Sequence, residues 1–293
     1  MRRGFSLIEI IFVLVLASIL SMGSFKALEA LFIRSAKAKA VSDLALESQI
    51  VLNQLSSMLY HRIPNSVIGY DGSSDCDPIE ELDANNVVLE WLALADDAML
   101  QGEYDGFVDM NASDKASKTL SAPHIKTSLD TSNLNLVFAG AFDDGAEDIG
   151  ACNGAFGWHG NSSDLAYDFK VDTSNVITFI GALADYIYEK YYLSSGGIAV
   201  TRGEHVSDIA NCGVSASDFK NFNNTLFLFY DFYPYQSQTY CGDGGSGKVV
   251  VLAEDVSGFK AAYINDTIHL SIDMNRSIRG SNPVHISKQK AIF

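Results

Sequence analysis

The sequence predicts an α+β protein: a long N-terminal helix over residues 5–63, packed on a mainly antiparallel β-rich head over residues 64–293. Three observations carry this. The run from Phe5 to Phe25 is apolar apart from Glu9. Apolar residues then recur at helical spacing, at Leu28, Leu31, Val41, Leu44, Val51, Leu55 and Met58, and no proline precedes Pro64. From Tyr186 onward, β-branched and aromatic runs alternate with turn residues, the pattern of an antiparallel meander.

The first element begins with a short basic leader, Met1-Arg2-Arg3-Gly4. At the helical rise the apolar run covers ~31 Å, about the thickness of a bilayer's hydrocarbon core. A carboxylate in such a run costs roughly 2.5 to 3.5 kcal/mol on insertion scales, so Glu9 needs a partner or a function. Gly4-Phe5-Ser6-Leu7-Ile8-Glu9 resembles the type III signal of type IV prepilins and type II secretion pseudopilins. The resemblance implies that residues 1–4 are a leader, that a prepilin peptidase cuts between Gly4 and Phe5, and that the new first residue is N-methylated. It also implies that the Glu9 carboxylate faces the N-terminal amine of a neighbouring subunit, the pairing a buried acid requires. A secretory signal peptide fits less well: its apolar core is shorter, and no small-x-small cleavage site follows here. Arg2-Arg3 lacks the rest of a twin-arginine signal.

Extended to Ile63, the helix would be ~88 Å long, well beyond the globular mean, and a helix of that length needs neighbours. Its heptads are not clean and no e/g charge pattern supports a coiled coil. The pilin resemblance implies instead an N-terminal half packed among other subunits in a filament, with residues 26–63 packed on the head. One departure from many major pilins stands out. Ser24, Phe25 and Lys26 occupy the place of their helix-breaking proline, which leaves Gly23 as the weak point.

The head, about 230 residues, suits one large β-rich unit. All four cysteines, Cys76, Cys152, Cys212 and Cys241, follow the membrane segment, on the side opposite Arg2 and Arg3. An even count on an oxidising side points to disulfides. Three connectivities are open; the favoured one pairs Cys212 with Cys241 across the Leu226–Tyr230 strand, and Cys76 with Cys152. Of the 20 Lys/Arg and 36 Asp/Glu, six and two lie in residues 1–40, and four and none in residues 274–293, leaving ten against thirty-four between 41 and 273. Such a surface repels phosphate and argues against direct nucleic-acid binding by the head.

Between Asn65 and Asp164 the chain is polar, with apolar islands at Val87–Leu92 and Leu134–Phe138 that suit short strands. Asp143, Asp144, Glu147 and Asp148 form an oxygen-rich loop, a weak calcium candidate without the ligand order of an EF-hand, and a solvated loop fits it better. No other cofactor is expected. Tyr186–Leu193 and Ile198–Arg202, joined by Ser194-Ser195-Gly196-Gly197, predict a hairpin turning on its glycines. Strands follow at Leu226–Tyr230, Lys248–Leu252, Gly258–Ile264 and Thr267–Met274.

The Tyr191-Tyr192-Leu193 run, the strand ending in Arg202, and Val251–Phe259 followed by a paired final strand resemble J-type minor pseudopilins and W-type minor pilins. Retention of Glu9 separates the chain from the K-type tip pseudopilin, which lacks that acid. No HExxH, GxSxG, GxGxxG or P-loop occurs, and the loop from Gly242 to Gly247 lacks a lysine and the strand-helix setting of a phosphate cradle. Scattered histidines, His159 beside Trp158 among them, read as ordinary packed or surface residues. Asn111 and Asn275 each sit in an N-x-S sequon with an acid two residues before.

The expected protein is a non-catalytic minor pilin or pseudopilin, single-pass in a bacterial inner membrane with its head in the periplasm. Its partners would be other pilin or pseudopilin subunits, the prepilin peptidase and an inner-membrane assembly platform. The alternative is a membrane-anchored protein whose head binds a secretion substrate or a surface, delivered by the same machinery; an anchored periplasmic enzyme has least support.

Overall fold

The structure, a computed structural model, describes residues 7–71, 76–140, 155–161, 163–181, 187–206, 209–241 and 247–292. Helix α1 runs unbroken over Leu7–Tyr60, 54 residues. Its buried positions, Ala40, Leu44, Ser48, Val51, Leu52, Leu55 and Leu59, recur every three or four residues and so form one stripe on the C-terminal half. The helix stops three residues earlier than expected. At His61 the backbone turns to pair with a strand: Ile63 N–H donates to the Leu92 carbonyl and Leu94 N–H to the His61 carbonyl, both at 2.9 Å. Pro64 disfavours helical backbone at Ile63 and fixes the exit.

Strands β1 (Ile68–Tyr70), β2 (Asp77–Pro78) and β3 (Val88–Leu94) come next, followed by the short helix α2 (Asp96–Leu100). The chain continues through β4 (Asp109–Asp114), β5 (Thr119–Ser121), β6 (Asn135–Phe138), β7 (Phe169–Thr173), β8 (Val176–Phe179) and the long β9 (Tyr191–Arg202). It closes with β10 (Leu226–Phe232), β11 (Lys248–Ala253), β12 (Val256–Ile264), β13 (Thr267–Arg276) and β14 (Val284–Ile292). Every strand pairing among the described residues is antiparallel, as the meander pattern predicts.

The pairings make three sheets. A central sheet has the order β11-β10-β9-β3-β1-β2 with β6 also on β9; β12-β13-β14 form a second, and β4-β5-β8-β7 a third. Strand alternation distributes the core. Leu226 and Leu228 of β10 face the stripe of α1 and the inner face of β13, whereas Phe227 and Phe229 face a second core on the other side. In β13 Ile268, Leu270, Ile272 and Met274 all point inward, so this sheet has one buried face. A third core, under the distal sheet, gathers Leu120, Ile177, Phe138, Tyr191 and Leu193.

The hairpin expected at Ser194–Gly197 is absent; β9 runs straight through it as one strand. Ala93 pairs with Gly196 but Leu94 with Ser194, so Ser195 is an extra residue, a β-bulge. A Cβ on Gly196, at φ +127°, would lie 3.0 Å from the Phe232 carbonyl oxygen, and one on Gly197 would lie 2.6 Å from the Phe232 ring. The glycines therefore admit β10 to close approach, and at the bulge β9 passes from pairing with β10 to pairing with β6.

Candidate functional site

Along α1 the environment changes completely between its halves. From Leu7 to Phe32 the large apolar side chains are exposed, with Leu7 78%, Phe25 71% and Phe32 73% accessible, whereas Leu44 and Leu59 are at 0%. The exposed half is long and apolar enough to cross a membrane. Two of its hydroxyls are satisfied within the helix: Ser18 Oγ donates to the Val15 carbonyl at 2.8 Å and Ser24 Oγ to the Leu20 carbonyl at 2.9 Å. Such internal pairing is what hydrocarbon demands of a polar group. Glu9 lies in the first described turn, exposed. Gly4 and Phe5 lie outside the described residues.

The buried half is fixed to the head by cations from the far end of the sequence. Lys288 Nζ donates to the Ala45 carbonyl at 2.8 Å and to Gln49 Oε1 at 3.2 Å, and Lys290 Nζ to Asn53 Oδ1 at 2.9 Å. Arg276 bridges Asp255 at 2.6 Å and Glu47 at 3.5 Å. Burial raises the Glu47 carboxyl against the pull of backbone and Arg276, while the Asp255 bond raises the Arg276 guanidinium. The acid-free C-terminal stretch thus has a structural use that its composition alone did not disclose.

A polar cluster sits inside the head. Glu90, 1% exposed, interrupts the apolar run of β3, the one signal in the sequence that could have marked it. Tyr70 donates to Glu90 Oε1 at 3.0 Å, and the Tyr240 hydroxyl is 2.6 Å from that of Tyr70. Because the Tyr70 proton is committed to Glu90, Tyr240 is the donor between the two phenols. His159 Nε2 lies 3.1 Å from the same Glu90 oxygen, and Cys76 Sγ 3.9 Å from His159 Nδ1. Burial, then the Glu90 charge, pushes the Tyr70 phenol well up, and the same two causes raise Tyr240. Burial pulls His159 down, but the bond and charge of Glu90 outweigh it and the imidazole is raised. Gly157 places this loop: at φ +78°, a Cβ there would lie 2.3 Å from the Pro234 oxygen.

Cys212 and Cys241 are bonded to each other, tying the 3-10 turn Ile209–Cys212 to the segment that follows β10. Cys76 is disulfide-bonded too, and Cys152, the partner expected for it, lies outside the described residues, as do Asp143, Asp144, Glu147, Asp148 and Gly242–Ser246. Among the described residues no group of three or more His, Cys, Asp and Glu comes together as a metal site. The two sequons preceded by an acid differ in setting. Asn111 is exposed in a bulge where Met110–Ser113 loop out between the Asp109↔Ser121 and Asp114↔Thr119 pairs, whereas Asn275 sits in register opposite His285.

No curated protein and no solved structure was found to match the chain. Residues 1–25 match the family model described as the prokaryotic N-terminal methylation motif. Joined to one long apolar helix ahead of an antiparallel head, that match supports a pilin- or pseudopilin-type subunit, a class that is generally structural and assembles with other such subunits after peptidase processing.

Proposed function

We propose that the chain is a minor pilin or pseudopilin, a structural, non-catalytic subunit of a type IV pilus or type II secretion pseudopilus assembled at a bacterial inner membrane. The observation that carries this reading is the division of α1 into a bare apolar half and a half buried in its own head. The peptidase removes residues 1–4, and the platform draws the helix out of the bilayer. Leu7 to Phe32 then exchange lipid for the helices of other subunits, so extraction exposes little apolar surface to water. Glu9 compensates the Phe5 amine of an adjacent subunit and sets the stagger between helices. A head of this size suits a tip or priming position, where bulk does not repeat along a shaft.

Substituting Glu9→Leu in the host tests the reading. The variant is expected to stay in the membrane with its head folded and disulfides intact but to be missing from sheared filaments, and the mature wild-type chain to begin at Phe5. Normal incorporation of the variant, or a different mature N-terminus, would overturn it. Gold-labelled wild-type subunits are expected at filament ends; even labelling along the shaft contradicts the tip assignment.

A further inference from the structure

The top of the bare half of α1 and the turns just above it have the wrong charge for this protein. Lys26, Arg34, Lys37 and Lys39 lie along the helix with a single acid, Glu29, among them, and Arg279 joins them from the turn between β13 and β14. Among the described residues none of the five forms an ion pair. Yet acids outnumber bases more than threefold between residues 41 and 273, so partners were available in quantity. Arg276, their neighbour, is by contrast committed to Asp255 and Glu47.

Between this collar and the head lies a groove of about 510 Å³. One wall is apolar, made by Phe32 and Ile33 of α1 and Ile278 of the turn; Gly280 closes against Ile33, where a Cβ would stand 3.5 Å from Cδ1. Lys39 and Arg279 line the same groove, with Asp43 and the committed Arg276 at its upper end. The apolar wall is continuous with the exposed surface that begins at Leu7. A site greasy toward the membrane and cationic toward water matches one class of molecule, an amphiphile with an anionic head.

We propose that this groove holds an anionic phospholipid of the leaflet from which α1 emerges, its phosphate on Lys39 and Arg279 and the start of an acyl chain against Phe32 and Ile33. The inference rests on α1 being a membrane helix. It also explains the collar, because an anionic bilayer surface repels so acidic a head, and the five cations offset that repulsion where head and bilayer meet. Lys37 and Arg34, on other sides of the helix, contribute to the field without lining the groove.

The full chain is reconstituted into nanodiscs of phosphatidylcholine, or of phosphatidylcholine with one third phosphatidylglycerol, and lipid retained after mild release is read by native mass spectrometry. Phosphatidylglycerol is expected to be retained preferentially, and Lys39→Gln with Arg279→Gln to reduce that preference about tenfold or more. The preference should also fall on raising salt from about 0.05 to 0.5 M. Tryptophan fluorescence of the double variant reports that the head is intact. Equal retention of the two lipids, or a double variant indistinguishable from wild type, would sink the proposal while incorporation into the discs still stands. Failure of the chain to enter phosphatidylcholine discs at all would instead strike the membrane reading of α1, and this inference with it.

Discussion

The Lys288 ammonium donates to the Ala45 backbone carbonyl at 2.8 Å, so the last strand of the head grips the middle of the first helix. The contact spans nearly the whole sequence and joins the half of α1 that the head covers to β14. Replacing Lys288 and Lys290 together by Met keeps their aliphatic stems and removes the bonds to Ala45, Gln49 and Asn53. The expected loss is about 1–2 kcal/mol, the Lys290 share being small because that pair is exposed. Urea unfolding followed by the two buried tryptophans, Trp91 and Trp158, measures it; an unchanged midpoint would show that apolar packing alone holds the helix.

The His159–Glu90 pair gives the head a pH dependence of definite sign. His159 is raised in the folded state, so its contribution is complete below the ordinary imidazole value of about 6.5 and is lost as pH rises through its folded value. His205, which burial lowers, acts in the opposite sense, so the comparison must be between variants. The stability gap between wild type and His159→Gln is expected to be wide at pH 6 and to shrink by pH 9. A gap independent of pH would mean that the imidazole packs as a neutral ring.

The Cys212–Cys241 bond closes a span of 29 residues that includes β10. Chain-entropy reasoning assigns such a loop about 3.6 kcal/mol. Cys212→Ser with Cys241→Ser should therefore lower the head's unfolding free energy by about that amount while leaving α1 in the membrane. Thermal unfolding by circular dichroism separates the two, because the membrane helix signal persists after the head has melted.

Gly196→Val discriminates between a bulge and a turn. At φ +127°, with the Phe232 oxygen 3.0 Å from a new Cβ, the substitution should cost about 2 kcal/mol or more. A hairpin tip in solvent would suffer the backbone strain alone, without the clash against Phe232. Denaturant midpoints for Gly196→Val and for Gly181→Val, which shares a positive φ of +89° but has nothing within 4 Å, separate the clash from the strain, and equal losses would remove the bulge.

Legibility in the sequence followed the strength of the periodic signal. The stripe from Ala40 to Leu59 and the strands β3, β10, β12 and β13 were readable because one or both faces are buried, so apolar residues recur in runs or in alternation along most of their length. The signal residues 1–9 were readable because few other chemistries place a lone acid in an apolar run behind glycine. The distal sheet was hidden: β4 reads Asp-Met-Asn-Ala-Ser-Asp, is nearly all exposed, and pairs through a bulge. The glycines of β9 misled because a close approach between strands and a tight turn ask for the same residue. Neither Lys288 nor Glu90 could be assigned a partner from spacing, since each finds it in a distant part of the chain.

From Leu7 to Tyr60 the helix contains no proline, and its rise gives a rod of ~81 Å. Torque applied at the end buried in lipid is therefore delivered to the globular end with little slack, Gly23 being the sole soft joint. A machine that twists or lifts such a subunit by its tail steers the whole head, so the direction in which the head points outside the membrane is set by how the tail is seated within it.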